Sequence, residues 1–295
     1  MDPHLLRTFV AVVDHRSFSA AAGELGYTQS AVSQHIAALE ADLGARLVER
    51  RPVGPTGAGE RLMEHARPLL LRLAAARADI TRLHATRPAQ LTVAAGPLAL
   101  TSAVADALAR VRRSAPGLAV TLHVMGRDAV VGAVMAGDAD LGLVDGAAAP
   151  TDPLPLPDPG PLSTAALTAA EQPLAVLLPA GHPLARRAGL RLPDLTDAQW
   201  LDAPDTAIPL PQLRAAARTD GFRPQVAYRG TDIKAVGTLV AAGHGLAALP
   251  LTAAAELPGT AAVPLSAPRL IHRTEALHPA RPAAPVTELL ALLGS

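Results

Sequence analysis

Hydrogen-bonding side chains recur at helical spacing in Thr28-Gln29-Ser30-Ala31-Val32-Ser33-Gln34. Thr28 is placed to cap a helix, and Val32, Ile36, Leu39 and Leu43 fall within about 60° of one another on it, so they form its core face. Ser30 and Gln34, with Ala37 and Ala41, take the opposite face. Small uncharged hydrogen bonders at a helix N-terminal end suit close approach to base edges, where a Gln side chain pairs with N6 and N7 of adenine. A merely solvated face would have the same composition. Phosphate contacts would come from Arg50 and Arg51, the hydroxyls of Thr28 and Ser33, and the amides around Gln29 at the helix start. Arg50 and Arg51 would look the same as a pair of solvated loop charges.

A second set of candidate chemistry lies at strand-to-helix junctions, where α/β domains bind ligands. The residues there are Pro97, Leu98, Thr101 and Ser102 after a first strand, Arg127 after a second, Asp205 and Thr206, and Thr231 before a late helix. Thr101, Ser102 and Thr231 equally fit ordinary N-capping. Arg127 fits either a carboxylate clamp or a surface pair with Asp128.

These groups need elements to carry them. An apolar stripe of Leu5, Leu6, Phe9, Val10 and Val13 predicts a first helix over residues 4–14, and Ser19 would cap a second over 20–25, broken at Gly26-Tyr27. Residues 47–56, with Pro52, Gly54 and Pro55, predict a short hairpin or wing. From Gly57 a long helix carries Leu62, Ala66, Leu69, Leu73, Ala76, Ile80 and Leu83 at alternating spacings of four and three, the seam of a coiled coil. Pro68 should kink that helix or start a separate turn, at about 3 kcal/mol if it is continuous. Thr86-Arg87-Pro88 ends it. After Ala89 strands and helices alternate: strands at 91–95, 119–125, 141–144, 174–178, 225–228 and 246–249, and helices at 101–113, 129–136, 211–220 and 232–242. This predicts a parallel sheet covered by helices, in two lobes, with the Pro-rich stretch 150–161 as a loop leading into the crossover.

Composition narrows the function classes. The chain has 295 residues, 49% of them hydrophobic, enough for two cores, and no cysteine, which excludes disulfides, thiolate metal sites and a Cys nucleophile. Its 26 basic residues equal its 26 acidic ones, so any polyanion site must be local. Residues 1–56 hold five Arg (Arg7, Arg16, Arg46, Arg50, Arg51) against six acids, and residues 57–88 hold six Arg against three acids. No apolar run is long enough to span a membrane and no signal-type start is present, so a cytoplasmic protein is expected. No nucleophile elbow, P-loop, dinucleotide fingerprint or zincin motif occurs. Asp138 and Asp140 read as turn residues rather than a catalytic pair, and His182 and His244 as structural. An enzyme is therefore not expected, and no cofactor or metal is implied.

Ser17-Phe18-Ser19-Ala20-Ala21-Ala22, then Thr28-Gln29-Ser30-Ala31-Val32-Ser33-Gln34-His35-Ile36-Ala37-Ala38-Leu39-Glu40 followed by Leu43-Gly44, closely resemble the LysR-type transcriptional regulators. Pro179-Ala180-Gly181-His182-Pro183-Leu184 and the run from Val240 to Pro250 extend the resemblance over nearly the whole chain. Two departures stand out: Gln34 occupies a place where many relatives carry Arg, and the wing is compact and Pro-rich. The resemblance implies an α/β fold class with a winged helix-turn-helix DNA-binding domain at 1–56, a dimerising linker helix at 57–88 and a periplasmic-binding-protein-like effector domain at 89–295. One lobe of the latter would comprise 90–172 and 252–295, the other 173–251. The implied partners are a double-stranded DNA operator, a small-molecule effector and further copies of the chain, as a homodimer or homotetramer, with no membrane. The competing reading is an α/β binding protein or enzyme whose DNA-binding appendage no longer functions.

Overall fold

A computed structural model describes residues 1–84, 90–154, 162–168 and 171–294. By its contacts the chain divides into compact units at 1–83 and 84–295. The first unit holds helices α1 (Pro3–His15), α2 (Phe18–Leu25) and α3 (Gln29–Leu43), strands β1 (Val48–Arg50) and β2 (Val53–Pro55), and helix α4 (Gly57–His84). Local chemistry sets the helix ends. Asp2, Ser17 and Thr28 accept hydrogen bonds from the amides of His4, Ala20 and Ala31, while Gly26 and Gly44 take left-handed φ values of 69° and 67° to stop α2 and α3. The cap of α2 is thus Ser17 rather than Ser19, and the helix starts two residues earlier than expected.

The unit's core is built by Phe9, Val12, Ala21, Ala22, Val32, Ile36 and Leu39. Burying each large side chain contributes about 1.5–3 kcal/mol. Leu43, expected in the same stripe, is 41% exposed. The chain turns away at Gly44, and Leu47 and Val48 complete the core instead. The wing pairs Val48 with Pro55 and Arg50 with Val53. It is fastened to α3 by Glu40, whose Oε1 accepts from the amides of Leu47 (2.8 Å) and Val48 (3.2 Å). Thr56 caps α4 through Gly59 N (3.1 Å) and donates its hydroxyl to Arg46 O (2.7 Å). Gly59 is the residue that permits this approach, because a Cβ there would lie 2.1 Å from Leu47 O.

Helix α4 continues through Pro68 instead of restarting there. Leu62 and Met63 pack on the three-helix core and Ala66 is buried. The exposed part of the apolar seam therefore begins at Leu69, continuing at Leu73 and Ile80. The Leu83 side chain and the predicted stop at 86–88 lie outside the described residues.

The second unit contains β3 (Gln90–Ala95), α5 (Ser102–Ser114), β4 (Ala119–Val124), α6 (Arg127–Ala136), β5 (Leu141–Ala148), β6 (Leu162–Ala166) and β7 (Gln172–Pro179). They are followed by β8 (Leu190–Arg191), β9 (Trp200–Asp202), α7 (Leu210–Ala217), β10 (Pro224–Ala227), α8 (Ile233–Ala241) and β11 (Ala247–Pro250). The last elements are α9 (Leu251–Ala255), β12 (Thr260–Ala267), β13 (Ile271–Pro279) and α10 (Ala284–Leu293). Sheet order is β4-β3-β5-β13-β7-β12-β8, with β11 on β7 and β6 on β13. The expectation of a parallel sheet holds for β4, β3 and β5 and for the short pairs β12–β8 and β10–β9, but β13 returns antiparallel to β5, β6 and β7, and β7 pairs antiparallel with β11 and β12.

Each lobe has core on both sheet faces. In the first, Val93, Leu141 and Leu143 pack under α5 and α10, and Ala94, Val144 and Leu277 pack under α6. In the second, Leu174, Val176 and Leu178 face Trp200, Leu213 and Phe222, while Ala175 and Leu177 face Val236, Val240 and Leu249. Strand β12 pairs with β7 and β8, so residues 260–267 run with the second lobe's strands, and the chain crosses back only at β13. That departs from a boundary at 252. The alternation of apolar residues before 260 gives no sign of this pairing, which depends on where β7 already lies.

Candidate nucleic-acid interface and effector cleft

Helices α2 and α3 and the wing enclose a groove of about 390 Å³ lined by Arg16, Ser17, Ser19, Gln29, Ser33, Arg50 and Arg51, with Phe18 and Val53 at its apolar side. Gln29 and Ser33 stand one turn apart on α3 and share that face. The guanidinium of Arg50 lies 5.8 Å from the Phe18 ring centroid, a cation–π contact that holds it at the rim. Thr28 is committed locally: its Oγ1 caps α3 and lies 3.0 Å from Ser30 Oγ. Gln34 is exposed and outside the lining of the groove. Three arginines thus line one groove in a unit whose ten Arg barely exceed its nine acids, so the positive field is made by placement. Arg16 was not singled out from sequence. The one signal for it is a basic residue at the helix-to-helix turn just before the capping Ser17; its left-handed φ of 47° ends α1 there.

In the second unit the polar groups gather around Arg127, the first residue of α6. Its Nη1 donates to Pro204 O (3.0 Å), its Nη2 to Asp145 Oδ2 (3.1 Å), and its backbone N to Asp205 Oδ1 (3.2 Å). Pro204 and Asp205 come from the second lobe, so Arg127 bridges the cleft. Of the two alternatives open from sequence, the surface pair with Asp128 is not formed: the partner is Asp145. Asp145 is also 3.1 Å from Nε2 of His272 on the neighbouring strand, and both are buried. Burial alone pushes the Asp145 carboxyl up. The hydrogen bond from His272 and the charge of Arg127 outweigh it and hold the group below its ordinary value, so Asp145 is ionised.

Backbone approach is tight here. A Cβ on Gly96 would lie 2.6 Å from Asp145 Oδ1, and one on Gly126 would lie 2.6 Å from Asp205 Oδ1. Arg127 Nε, Thr206 Oγ1, His272 Nδ1 and Thr274 Oγ1 are buried without a hydrogen-bond partner among the described residues.

The structure gathers Arg127, Asp205 and Thr206 and adds Asp145, His272 and Thr274. Pro97 and Leu98 form a short 3-10 turn, and Leu98 is buried in the second lobe's core. Thr101 caps α5 through Val104 N (3.4 Å), and Ser102 is exposed on the first turn. Thr231 is exposed and caps nothing, since Asp232 accepts from Lys234 N (2.9 Å) at the start of α8. Asp140 accepts from Thr92 N (2.8 Å), and His182 Nδ1 from Leu184 N (3.2 Å), so both are structural. Asp145 carries a sequence signal that went unused. A carboxylate closing the apolar run Leu141-Gly142-Leu143-Val144 demands a buried partner. His272 had none, lying in the polar run His272-Arg273-Thr274-Glu275 that reads as loop and is in fact a central strand.

Known proteins are similar to the chain over its whole length. Residues 3–60 match the family model described as a bacterial regulatory helix-turn-helix protein of the lysR family, and residues 84–294 match the LysR substrate binding domain. The probable transcriptional regulator LrrA of Synechococcus elongatus is 31% identical over 258 residues, 86% of this chain and 82% of its own. The uncharacterised regulator YnfL of Escherichia coli is 32% identical over 193 residues, 64% of this chain and 61% of its own. Among solved structures, full-length BenM is 25% identical with a TM-score of 0.55, covering 99% of this chain and 95% of that one. CbnR in complex with its target DNA, at 21% identity, TM-score 0.53 and 99% coverage of both chains, shares the fold. None of these relatives supports a DNA-binding appendage that has lost its role. With both family models matched in order, the chain belongs to the LysR family of DNA-binding transcriptional regulators that carry a small-molecule effector domain.

Proposed function

We propose that the chain reads its operator with the exposed face of α3 and anchors on phosphates through the groove of Arg16, Arg50 and Arg51, while a small effector is held in the cleft at Arg127. The groove that Arg16, Arg50 and Arg51 line together with Gln29 and Ser33 of α3 carries this reading. Gln34 and Ser30, exposed on the same helix, supply the base contacts, and Gln29 and Ser33 sit at the groove. In the effector domain Arg127, Asp205 and Thr206 line the ligand site, with Asp145, His272 and Thr274. Thr101, Leu98, Pro97 and Thr231 act structurally or lie apart from it. The DNA-binding domain comprises 1–56 and the linker 57–88. Leu69, Leu73 and Ile80 form the exposed apolar seam through which two copies pair. The chain works as a regulator and not as an enzyme, in the cytoplasm where its operator is; no described helix is long and apolar enough to cross a membrane.

The test is a randomised operator library. Gln34→Ala should change base preference at one position of each half-site by about 1–3 kcal/mol, whereas Arg51→Ala should weaken all sequences alike and flatten the salt dependence. Unchanged preference would remove Gln34 from readout, and an unchanged salt slope would remove Arg51 from the phosphate contacts.

A further inference from the structure

Helix α6 begins without a side-chain cap of its own, because its N-cap is Gly126. Asp205 from the opposite lobe takes the cap's place, its Oδ1 accepting from Arg127 N at 3.2 Å. Gly126 leaves just enough room for that carboxylate, which a Cβ would meet at 2.6 Å. First-turn amides and the helix dipole make this position a seat for an anion. The seat has more donors around it than Asp205 uses. Arg127 Nε belongs to the guanidinium that bridges the lobes, Thr206 follows Asp205 directly, and Thr274 is paired opposite Asp145 on the face that Arg127 contacts. Each has a buried polar atom without a partner among the described residues, as has His272 at Nδ1. Thr206 and His272 are fully buried. The hydroxyls of Thr206 and Thr274 and Arg127 Nε can each donate to an oxygen atom of a ligand or a water.

We propose that Asp205 is an internal stand-in for the effector: the seat at the start of α6 takes a small carboxylate, which binds by replacing the Asp205 carboxylate. The inference rests on the cleft being the effector site. The exchange swaps one negative charge for another, so no proton has to move, and Asp145 stays on Arg127 and His272. The spare donors of Thr206, Thr274 and Arg127 Nε favour a ligand with a second oxygen acceptor beside its carboxylate, a hydroxy acid or dicarboxylate. As Asp205 leaves, α6 loses one of its contacts from the second lobe and keeps the Arg127 bond to Pro204 O, so occupancy alters the lobe-to-lobe hydrogen bonds directly.

Calorimetric titration of the full chain with acetate, malate and succinate tests this. Asp205→Ala vacates the seat and should bind malate or succinate roughly tenfold tighter than wild type, the equivalent of losing one charge-assisted competing hydrogen bond. Acetate should gain less, and Asp205→Asn should fall between the two proteins while preserving shape, which keeps the test decisive if the Ala variant folds poorly. Arg127→Ala should lose binding. If neither Arg127→Ala nor the Asp205 variants change affinity, the ligand sits elsewhere and the cleft reading itself fails. If Arg127→Ala loses binding while the Asp205 variants bind no tighter, the cleft stands and the stand-in is overturned. Absence of binding by all three acids to wild type and to both Asp205 variants overturns the carboxylate class.

Discussion

Replacing Asp145 by Ala tests the energetics on which the cleft depends. Asp145 is 2% exposed and holds both Arg127 Nη2 and His272 Nε2 at 3.1 Å. Removing one partner of a buried ion pair costs about 3–5 kcal/mol, because the other charge stays desolvated. Arg127 keeps its bond to Pro204 O, so the lower end applies, about 3 kcal/mol. For a unit of this size that lowers the melting temperature by roughly 6–12 °C. The chain's single tryptophan, Trp200, is buried against Phe222 and donates to Leu195 O, so its fluorescence in a urea or thermal titration follows the second unit directly.

The pH dependence of the same contact has a defined sign. Asp145 has a folded pKa below its unfolded one, so its contribution is complete above the unfolded value, about 3.9, and is lost as pH falls through the folded value. The stability gap between wild type and Asp145→Asn should therefore be constant from neutral pH down to about 5 and shrink only below about 4. A double-mutant cycle with Arg127→Ala should give a coupling above about 1 kcal/mol. A loss under about 1 kcal/mol for Asp145→Ala, or a gap that starts to close near pH 6, would refute the ionised, paired carboxylate.

Further outcomes follow from other contacts. Glu40→Ala removes both amide contacts that fix the wing and should cost about 2 kcal/mol in the DNA-binding unit. Operator affinity should then fall more than melting temperature predicts; equal affinity in a mobility-shift titration would show that wing placement does not matter for binding. Gly59→Ala forces a methyl group to within 2.1 Å of Leu47 O and should separate α4 from the wing, read as loss of soluble, cooperatively melting protein. Changing Leu69 and Leu73 to Lys places charges in the exposed α4 seam and should give monomers in sedimentation with little operator affinity, whereas wild-type assembly would put the interface elsewhere.

Features that depend on near neighbours along the chain were legible in the residues alone. Thr28 caps α3 and Val32, Ile36 and Leu39 face its core because caps act within three residues and the helical period is local. The same holds for the short wing, with its prolines and glycine, and for the existence of α4 as one long helix, whereas of its apolar stripe Leu62 packs on the unit's own core and Leu69, Leu73 and Ile80 are exposed. The cap of α2 was missed by two residues because Ser17 and Ser19 offer the same hydroxyl, and only packing of Phe18 on the core chooses between them.

Features that depend on distant chain came from the fold. Arg16 joins Arg50 and Arg51 only after the wing folds back beside α2. Arg127 meets Asp205 across 78 residues and Asp145 meets His272 across 127. Strand β13 shows the reason most directly. Its His272, Arg273, Thr274 and Glu275 look like surface, yet all four are buried, since the strand is inserted between β5 and β7, where Asp145 of β5 meets His272 and the segments beyond the strands meet Arg273 and Glu275. Arg273 bonds Glu171 and the carbonyls of Pro150 and Asp152, and Glu275 accepts from Leu154 N. Burial of a charge depends on whether a partner waits in the interior, and no periodicity within the strand encodes that partner.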